Sequence, residues 1–389
     1  MHKKPLLYTF ILIHYNQLRY IFSAIDSILE QDYPAIEIII TDDASLTFDK
    51  EEIEEYIDKH KKPNIKSIRI IINEENIGTV HTLNKAMECV KGEFVQIFAA
   101  DDRLHDKKVV SRFVKAFESL GDETEMICAA ALMMDVDMTP PGELFISTRD
   151  HDGFNAKSAD EQYQTLAFSC LLAMGAICAR TRLYKRMGYF QEQYRYIEDW
   201  SFFLYITRNG VKVRTTDFIA LDHRDGGISR ALEEPYAPSA VGYVEDTLKI
   251  IEYEIFPYLS KFVLRNQNSL IKKYNDYYYK FRNMGGTRRK IRGFGFWKYN
   301  KKIVVWRFLA YWRVNNGLYL KKSLNVVWIS ALLWMITMIF DKEGIVEPQS
   351  LINLCIGFLS VIFICGLAFF ILNIFVWIAY KIYELSKEG

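Results

Sequence analysis

Apolar runs of five to eight residues alternate, over the first hundred positions, with stretches whose apolar residues recur at helical spacing. Residues 8–13 read as a strand and 21–30 as an amphipathic helix. Residues 36–41 follow as a strand, 50–61 as a helix, 67–72 as a strand, 78–90 as a helix and 94–98 as a strand. The strand runs are rich in Ile and Phe and do not alternate with polar positions, the pattern of strands covered on both faces. Strands that alternate with helices predict a doubly wound, mixed α/β sheet whose ligands sit at the carboxyl ends of the strands.

Polar residues collect at those ends. His14-Tyr15-Asn16 follows the first strand, Asp42-Asp43-Ala44-Ser45 the second, Asn76-Ile77-Gly78 the third and Ala99-Ala100-Asp101-Asp102 the fourth. Two carboxylate pairs facing one crevice repel each other unless they share a positive partner. Hard oxygen donors of this kind suit Mg²⁺ or Mn²⁺ bound together with substrate phosphates. Neither GxGxxG after the first strand nor GxxxxGK[ST] occurs, so a dinucleotide fold and a P-loop are both excluded. Standing alone, an Asp-Asp pair is as much the mark of a solvated turn or a helix cap.

The ordered series resembles the inverting family 2 glycosyltransferases of the GT-A fold. It runs from strand–Tyr-Asn and strand–Asp-Asp-Ala-Ser through Asn-Ile-Gly to Lys-Gly-Glu-Phe-Val-Gln-Ile-Phe-Ala-Ala-Asp-Asp. It continues through Gly175-Ala176, Gly188-Tyr189-Phe190 and Ile197-Glu198-Asp199-Trp200 to His223-Arg224-Asp225-Gly226-Gly227-Ile228-Ser229, so it covers about residues 1–230. The layout is that of membrane-anchored bacterial members with two C-terminal transmembrane helices.

The resemblance implies roles residue by residue. Asp42 would contact the nucleotide base, with Tyr15 lining the same pocket and Asp43 and Ser45 shaping its loop. Asn76 and Gly78 would border the nucleotide. Asp101 and Asp102 fall at the metal-binding end of the family's Asp-x-Asp motif, whose first Asp is here Ala99, and His223 falls where the family often has a histidine near metal and diphosphate. Asp199 would be the catalytic base, taking the proton from the acceptor hydroxyl, with Glu198 orienting it and Trp200 as platform or core. A carboxylate beside a second carboxylate and a large apolar ring can have its pKa tuned upward for such work. Glu-Asp before an apolar helix also serves simply as an acidic first turn. Arg180 and Arg182 either clamp phosphate or flank the loop.

The C-terminal third differs in kind. Residues 323–340 carry no charge over 18 positions and 351–380 none over 30. As helices these would rise about 27 and 45 Å, against a hydrocarbon core of about 30 Å. Lys321, Lys322 and Lys381 flank them, placing both flanks and the preceding domain on the cytosolic face of the cytoplasmic membrane. Residues 286–322 hold 11 Lys/Arg and no Asp or Glu, interleaved with aromatics. Before a membrane span such a segment reads as an interfacial belt on anionic lipid rather than a nucleic-acid site. The net charge of +1 over 389 residues therefore hides segregation: 35 basic against 43 acidic residues over 1–285, the basic belt, and 3 against 5 over 323–389.

The expected organisation is a GT-A domain over 1–230, a helical bridge over 231–285, the interface segment over 286–322 and a transmembrane hairpin over 323–380. Residues 135–160, rich in Pro, Gly and Asp, would form an acceptor-side flap. The six cysteines lack CxxC spacing and read as reduced and structural. The expected activity is transfer from a nucleotide-diphosphate sugar, foremost a UDP-sugar, to a hydroxyl of a polyprenyl-linked saccharide in surface polysaccharide assembly, with Mn²⁺ or Mg²⁺ as cofactor. A homo-oligomer is kept among the candidate partners. The alternatives are a polyprenyl-phosphate sugar synthase and a non-catalytic scaffold, the latter favoured only by Ala99. A processive synthase fits poorly, for no Gln-x-x-Arg-Trp follows Glu-Asp-Trp.

Overall fold

The computed structural model describes residues 4–140, 142–144, 148–226, 238–291, 298–299, 325–329 and a few positions between 360 and 374. The strands are β1 (Tyr8–His14), β2 (Ile36–Asp42), β3 (Ile65–Ile72), β4 (Phe94–Ala99), β5 (Arg103–Leu104), β6 (Met126–Met134), β7 (Glu143–Leu144), β8 (Ile177–Arg180) and β9 (Arg214–Arg224). The helices are α1 (Leu18–Leu29), α2 (Lys50–His60), α3 (Thr79–Glu88), α4 (Val109–Leu120), α5 (Thr148–Ala156), α6 (Ala159–Leu166), α7 (Thr181–Met187), α8 (Glu198–Arg208), α9 (Pro238–Ile250) and α10 (Leu264–Asn283). A π turn (Ile251–Ile255) and a 3₁₀ segment (Phe256–Lys261) join the last two.

The sheet runs β3-β2-β1-β4-β8-β6-β9-β5, with β7 on β6. The first four strands are parallel, while β8 runs against both β4 and β6. The sheet is thus mixed as expected, and the seven early elements fall within three residues of their sequence-derived ends. β2 is buried at every position, which is why its Ile run shows no alternation. On α1, Ile21, Ala24, Ile25 and Ile28 repeat at three- and four-residue spacing and bury against the sheet core of Phe10, Leu12, Ile38 and Ile40.

Strand register decides which side chains meet at the crevice. His14 pairs with Asp42 across β1 and β2, and Ile13 pairs with Ala99 across β1 and β4. The carboxyl ends of three neighbouring strands therefore open on one edge, as a switch-point crevice requires. β9 runs parallel to β6 and delivers His223 and Arg224 at its own carboxyl end.

Two expectations change. Residues 135–160 are not a plain flap: α5 lies within them, Phe154 is buried, and the Asn155 side chain donates to Thr215 O (2.7 Å) and accepts from Thr215 N (2.8 Å) on β9. Ser158 and Glu161 then form a capping box that starts α6. The location at the cytoplasmic membrane is also corrected, for among the described residues no helix is long and apolar enough to cross a membrane. The two spans expected over 323–340 and 351–380, and the interface segment over 286–322, lie for the most part outside the described residues. The chain divides into two compact units, Met1–Lys290 and Ile291–Gly389, with α9 and α10 in the first.

Candidate active site

The crevice floor is built by β1 and β2. His14 Nε2 accepts the backbone N–H of Gln17 at 3.1 Å, which leaves the ring proton on Nδ1 to be donated to Asp42 Oδ1 at 2.7 Å. The Ser45 hydroxyl donates to the same oxygen, and the Ser45 N–H donates to Oδ2 at 2.9 Å. Burial pushes the Asp42 carboxyl up, but these donors outweigh it and hold it below the usual carboxylate range. Ser45 Oγ also accepts the Asn16 N–H, and Asn16 Oδ1 accepts the Leu46 N–H, stitching the two loops together. Asp42 is 0% exposed, its carboxylate held among His14 and Ser45 at the floor of the crevice. Tyr15, 46% exposed beside it, is the residue that faces outward. The histidine is structural, as its place after a strand suggests.

Asp43 holds the opposite wall. Its carboxylate accepts the N–H groups of Ile77 and Gly78, each at 2.9 Å, and the Asn73 amide at 3.0 Å. The acidic group thus satisfies free N–H groups just ahead of α3, a favourable place for negative charge. Gly78 has φ +88°, and a Cβ there would lie 2.7 Å from Arg195 Cγ. Arg195 in turn donates to Asn76 Oδ1 at 2.6 Å. Asn76 and Gly78 lie at this wall under Arg195, an arginine whose place just ahead of the Ile-Glu-Asp-Trp run gave no hint of it.

At the end of β4, Asp102 lies against β9. Its carboxylate receives His223 Nδ1 at 3.0 Å and the Arg224 N–H at 2.9 Å. Burial lowers the His223 pKa, but the Asp102 hydrogen bond and the charges of Asp102 and Asp101 outweigh it and raise it overall. Burial and then the Asp102 charge push the Asp101 carboxyl up. The Arg224 guanidinium donates to Asp101 O at 2.8 Å and lies over the Tyr20 ring. Among the described residues no group of three His, Cys, Asp or Glu converges as a metal ligand set. Asp101, Asp102 and His223 are neighbours, but Asp102 is spent on His223 and Arg224, so the three do not form the expected cage. The donors present fit only an ion that takes most of its ligands from substrate phosphates and water, as Mg²⁺ does.

Glu198 and Asp199 open α8. Asp199 Oδ1 accepts the Trp200 N–H at 2.6 Å, and the Cys170 thiol lies 3.8 Å from Oδ2. Both carboxyls are partly buried, and burial, with the Asp199 charge acting on Glu198, raises both pKa values. The first-turn position favours ionisation, yet burial wins. Such a pair holds a proton above the ordinary carboxylate range and can accept one from a hydroxyl near neutrality. Trp200 is core: it is 6% exposed and its Nε1 donates to Leu166 O at 2.7 Å.

Arg180 is not a phosphate clamp. It pairs with Glu93 (2.7 Å) and Asp122 (3.2 Å) and lies over the Phe94 and Phe117 rings; Arg182 lies 3.5 Å from Glu125. Sequence patterns did not point to Asn73, Cys170, Tyr243 or Lys273, the last two on α9 and α10, while Tyr277 falls in the aromatic tract over 274–279.

Residues 9–161, less than half of the chain, match the family model described as Glycosyl transferase family 2. The match supports a glycosyltransferase family 2 domain over that stretch. An uncharacterized glycosyltransferase of Haemophilus influenzae is 24% identical over 202 residues, covering 50% of this chain and 58% of the relative. The putative teichuronic acid biosynthesis glycosyltransferase TuaG of Bacillus subtilis is 32% identical over 97 residues, covering 24% and 36%. The chain thus spans less than two thirds of the length of these curated relatives. Among solved structures, S. aureus TarS 1-349 aligns with a TM-score of 0.48 at 16% identity, covering 77% of this chain and 82% of that one.

Proposed function

We propose that the protein transfers a sugar from a nucleotide-diphosphate sugar, a UDP-sugar first among candidates, to a hydroxyl of a polyprenyl-linked saccharide, with inversion, in surface polysaccharide assembly. The observation that carries this reading is the Glu198–Asp199 pair, two partly buried carboxyls of raised pKa at the start of α8. The glycosyltransferase relatives support it, and two of them are named for surface polysaccharides, teichuronic acid and amylovoran.

In this reading Asp199 takes the proton from the acceptor hydroxyl as its oxygen bonds to the anomeric carbon. The bond from that carbon to the diphosphate oxygen breaks on the far side, inverting the centre, and the nucleoside diphosphate leaves. Glu198 holds the neighbouring proton and orients Asp199. Tyr15, Asn76 and Gly78 border the nucleotide, while Asp42 and Asp43 hold their loops in shape. A divalent Mn²⁺ or Mg²⁺, with Asp101 as its protein ligand, would supply charge neutralisation at the diphosphate.

The test is release of nucleoside diphosphate from a panel of nucleotide sugars and saccharide acceptors. Asp199→Asn is expected to lower turnover by about 10²–10⁴ with nucleotide binding retained. Turnover near the parent rate would remove Asp199 from the chemistry.

A further inference from the structure

Beyond the matched segment, two helices bring unassigned groups to the neighbourhood of Asp199. Asp246 on α9 accepts the N–H groups of Arg195 and Tyr196 at 2.7 and 2.8 Å, fixing α9 to the loop that enters α8. Gly242 permits this approach, since a Cβ there would lie 2.3 Å from a Tyr196 ring carbon. One turn earlier stands Tyr243, whose hydroxyl feels the charges of Asp199 and Glu198. From α10, Lys273 and Tyr277 share one face at a four-residue spacing. Lys273 Nζ donates to Phe168 O and lies 4.6 Å from the Trp200 ring centroid and 5.9 Å from that of Tyr277. Phe168 is two residues from Cys170, whose thiol reaches Asp199.

Lys273 is partly buried, and among the described residues it has no carboxylate within ion-pair distance. The hydroxyls of Tyr243 and Tyr277 have no hydrogen-bond partner there either. Burial brings the Lys273 amine down to about 8. An ammonium withdrawn from water is normally compensated by an anion. Among the described residues its contacts are the Phe168 carbonyl oxygen and the Trp200 and Tyr277 rings, and Tyr243 lies within electrostatic reach of Tyr277.

We infer that Lys273, Tyr243 and Tyr277 form an acceptor subsite for an anionic group, a phosphate or a carboxylate carried by the saccharide close to the hydroxyl that Asp199 deprotonates. The inference rests on the proposed transfer reaction and narrows its acceptor class. Lys273 supplies the charge, and the two tyrosines donate to the remaining oxygens, as charge-assisted recognition of an oxyanion requires. An uncharged saccharide would leave the ammonium without a counter-ion and bind more weakly.

The direct test needs no known acceptor. The full chain is acetylated at pH 8 with limiting reagent, and modification of Lys273 is read by mass spectrometry in the presence of inorganic phosphate, glycerol 1-phosphate, glucuronate, glycerol or glucose. The expected result is slower labelling of Lys273 by about tenfold or more with an anion, with no change for glycerol or glucose. Protection by the phosphates or by glucuronate tells which anion is preferred. Equal labelling in all five, or equal protection by the uncharged compounds, overturns the inference. A second measurement uses matched acceptors with and without a phosphate. Lys273→Met is expected to lose the preference for the charged one, and Lys273→Arg to keep it. An unchanged preference in Lys273→Met overturns the subsite and leaves the transfer reading intact. Full turnover in Asp199→Asn sinks the transfer reading, and the labelling result then judges the anion site by itself.

Discussion

His14 Nδ1 donates to Asp42 Oδ1 at an N···O distance of 2.7 Å, with both side chains wholly withdrawn from solvent. The carboxylate is kept ionised in the protein interior by a neutral imidazole and the Ser45 loop. Replacing the ring by one of similar shape that cannot donate, His14→Phe, is expected to cost about 1.5–3 kcal/mol, because a buried charge loses a hydrogen bond. Urea denaturation at pH 7 measures it, and a loss below about 0.5 kcal/mol would show that Ser45 alone suffices. The same bond sets a pH trend. Asp42 is held below its ordinary value in the folded state, so its contribution is complete above about pH 4 and is lost as pH falls through the depressed value.

Asp43 makes a separate prediction at the crevice wall. Its two oxygens anchor the N–H groups of Ile77 and Gly78, and with them the backbone beside which a nucleotide would lie. Asp43→Ala leaves both N–H groups without that acceptor and is expected to cost about 1–3 kcal/mol of stability. It should also weaken nucleotide-sugar binding, because the loop through Asn76 loses its tie to β2. Calorimetric titration of the folded variant checks this; unchanged affinity would separate the loop from the nucleotide.

The end of β4 predicts how a metal acts. Asp101 is the one carboxylate of the pair not spent on β9, since Asp102 receives His223 and Arg224. Nucleoside diphosphate should bind more tightly with Mn²⁺ or Mg²⁺ than after chelation, and Asp101→Asn should abolish that difference. Asp102→Asn should act instead through stability, by loosening β9. If Asp102→Asn alone removes the metal effect, the two roles are reversed.

Much of this arrangement was legible from the chain. Uninterrupted Ile and Phe runs marked the strand positions because parallel strands bury both faces, and the carboxylate clusters after them fell on one edge as the topology required. The features that stayed hidden depended on partners distant in sequence. Asp42 and Asp43 look alike side by side, yet one is sealed under His14 and the other caps the approach to α3. Arg180 carries the same charge as Arg195, but Glu93 and Asp122 engage the first while the second closes over Asn76. Residues 148–156 read as loop because α5 has little helical periodicity of its own; the grip of Asn155 on β9 and the burial of Phe154 hold it.

Glu198 offers the sharpest test of the chemistry. Burial and the adjacent Asp199 charge keep the pair partly protonated above the usual carboxylate range. A base must be ionised to accept a proton, so turnover should fall as pH drops through the raised value and level off above it. The limb belongs to the pair rather than to either residue. Glu198→Gln removes the competing carboxyl and leaves a group of similar size. Asp199 already ionises beside a protonated Glu198, so the neutral amide should leave its acid limb, set by burial, in place, while the plateau drops by less than in Asp199→Asn. A pH profile of kcat/KM for the two variants decides the matter. If the limb moves to lower pH in Glu198→Gln, Glu198 is ionised when Asp199 loses its proton and does not hold the neighbouring one.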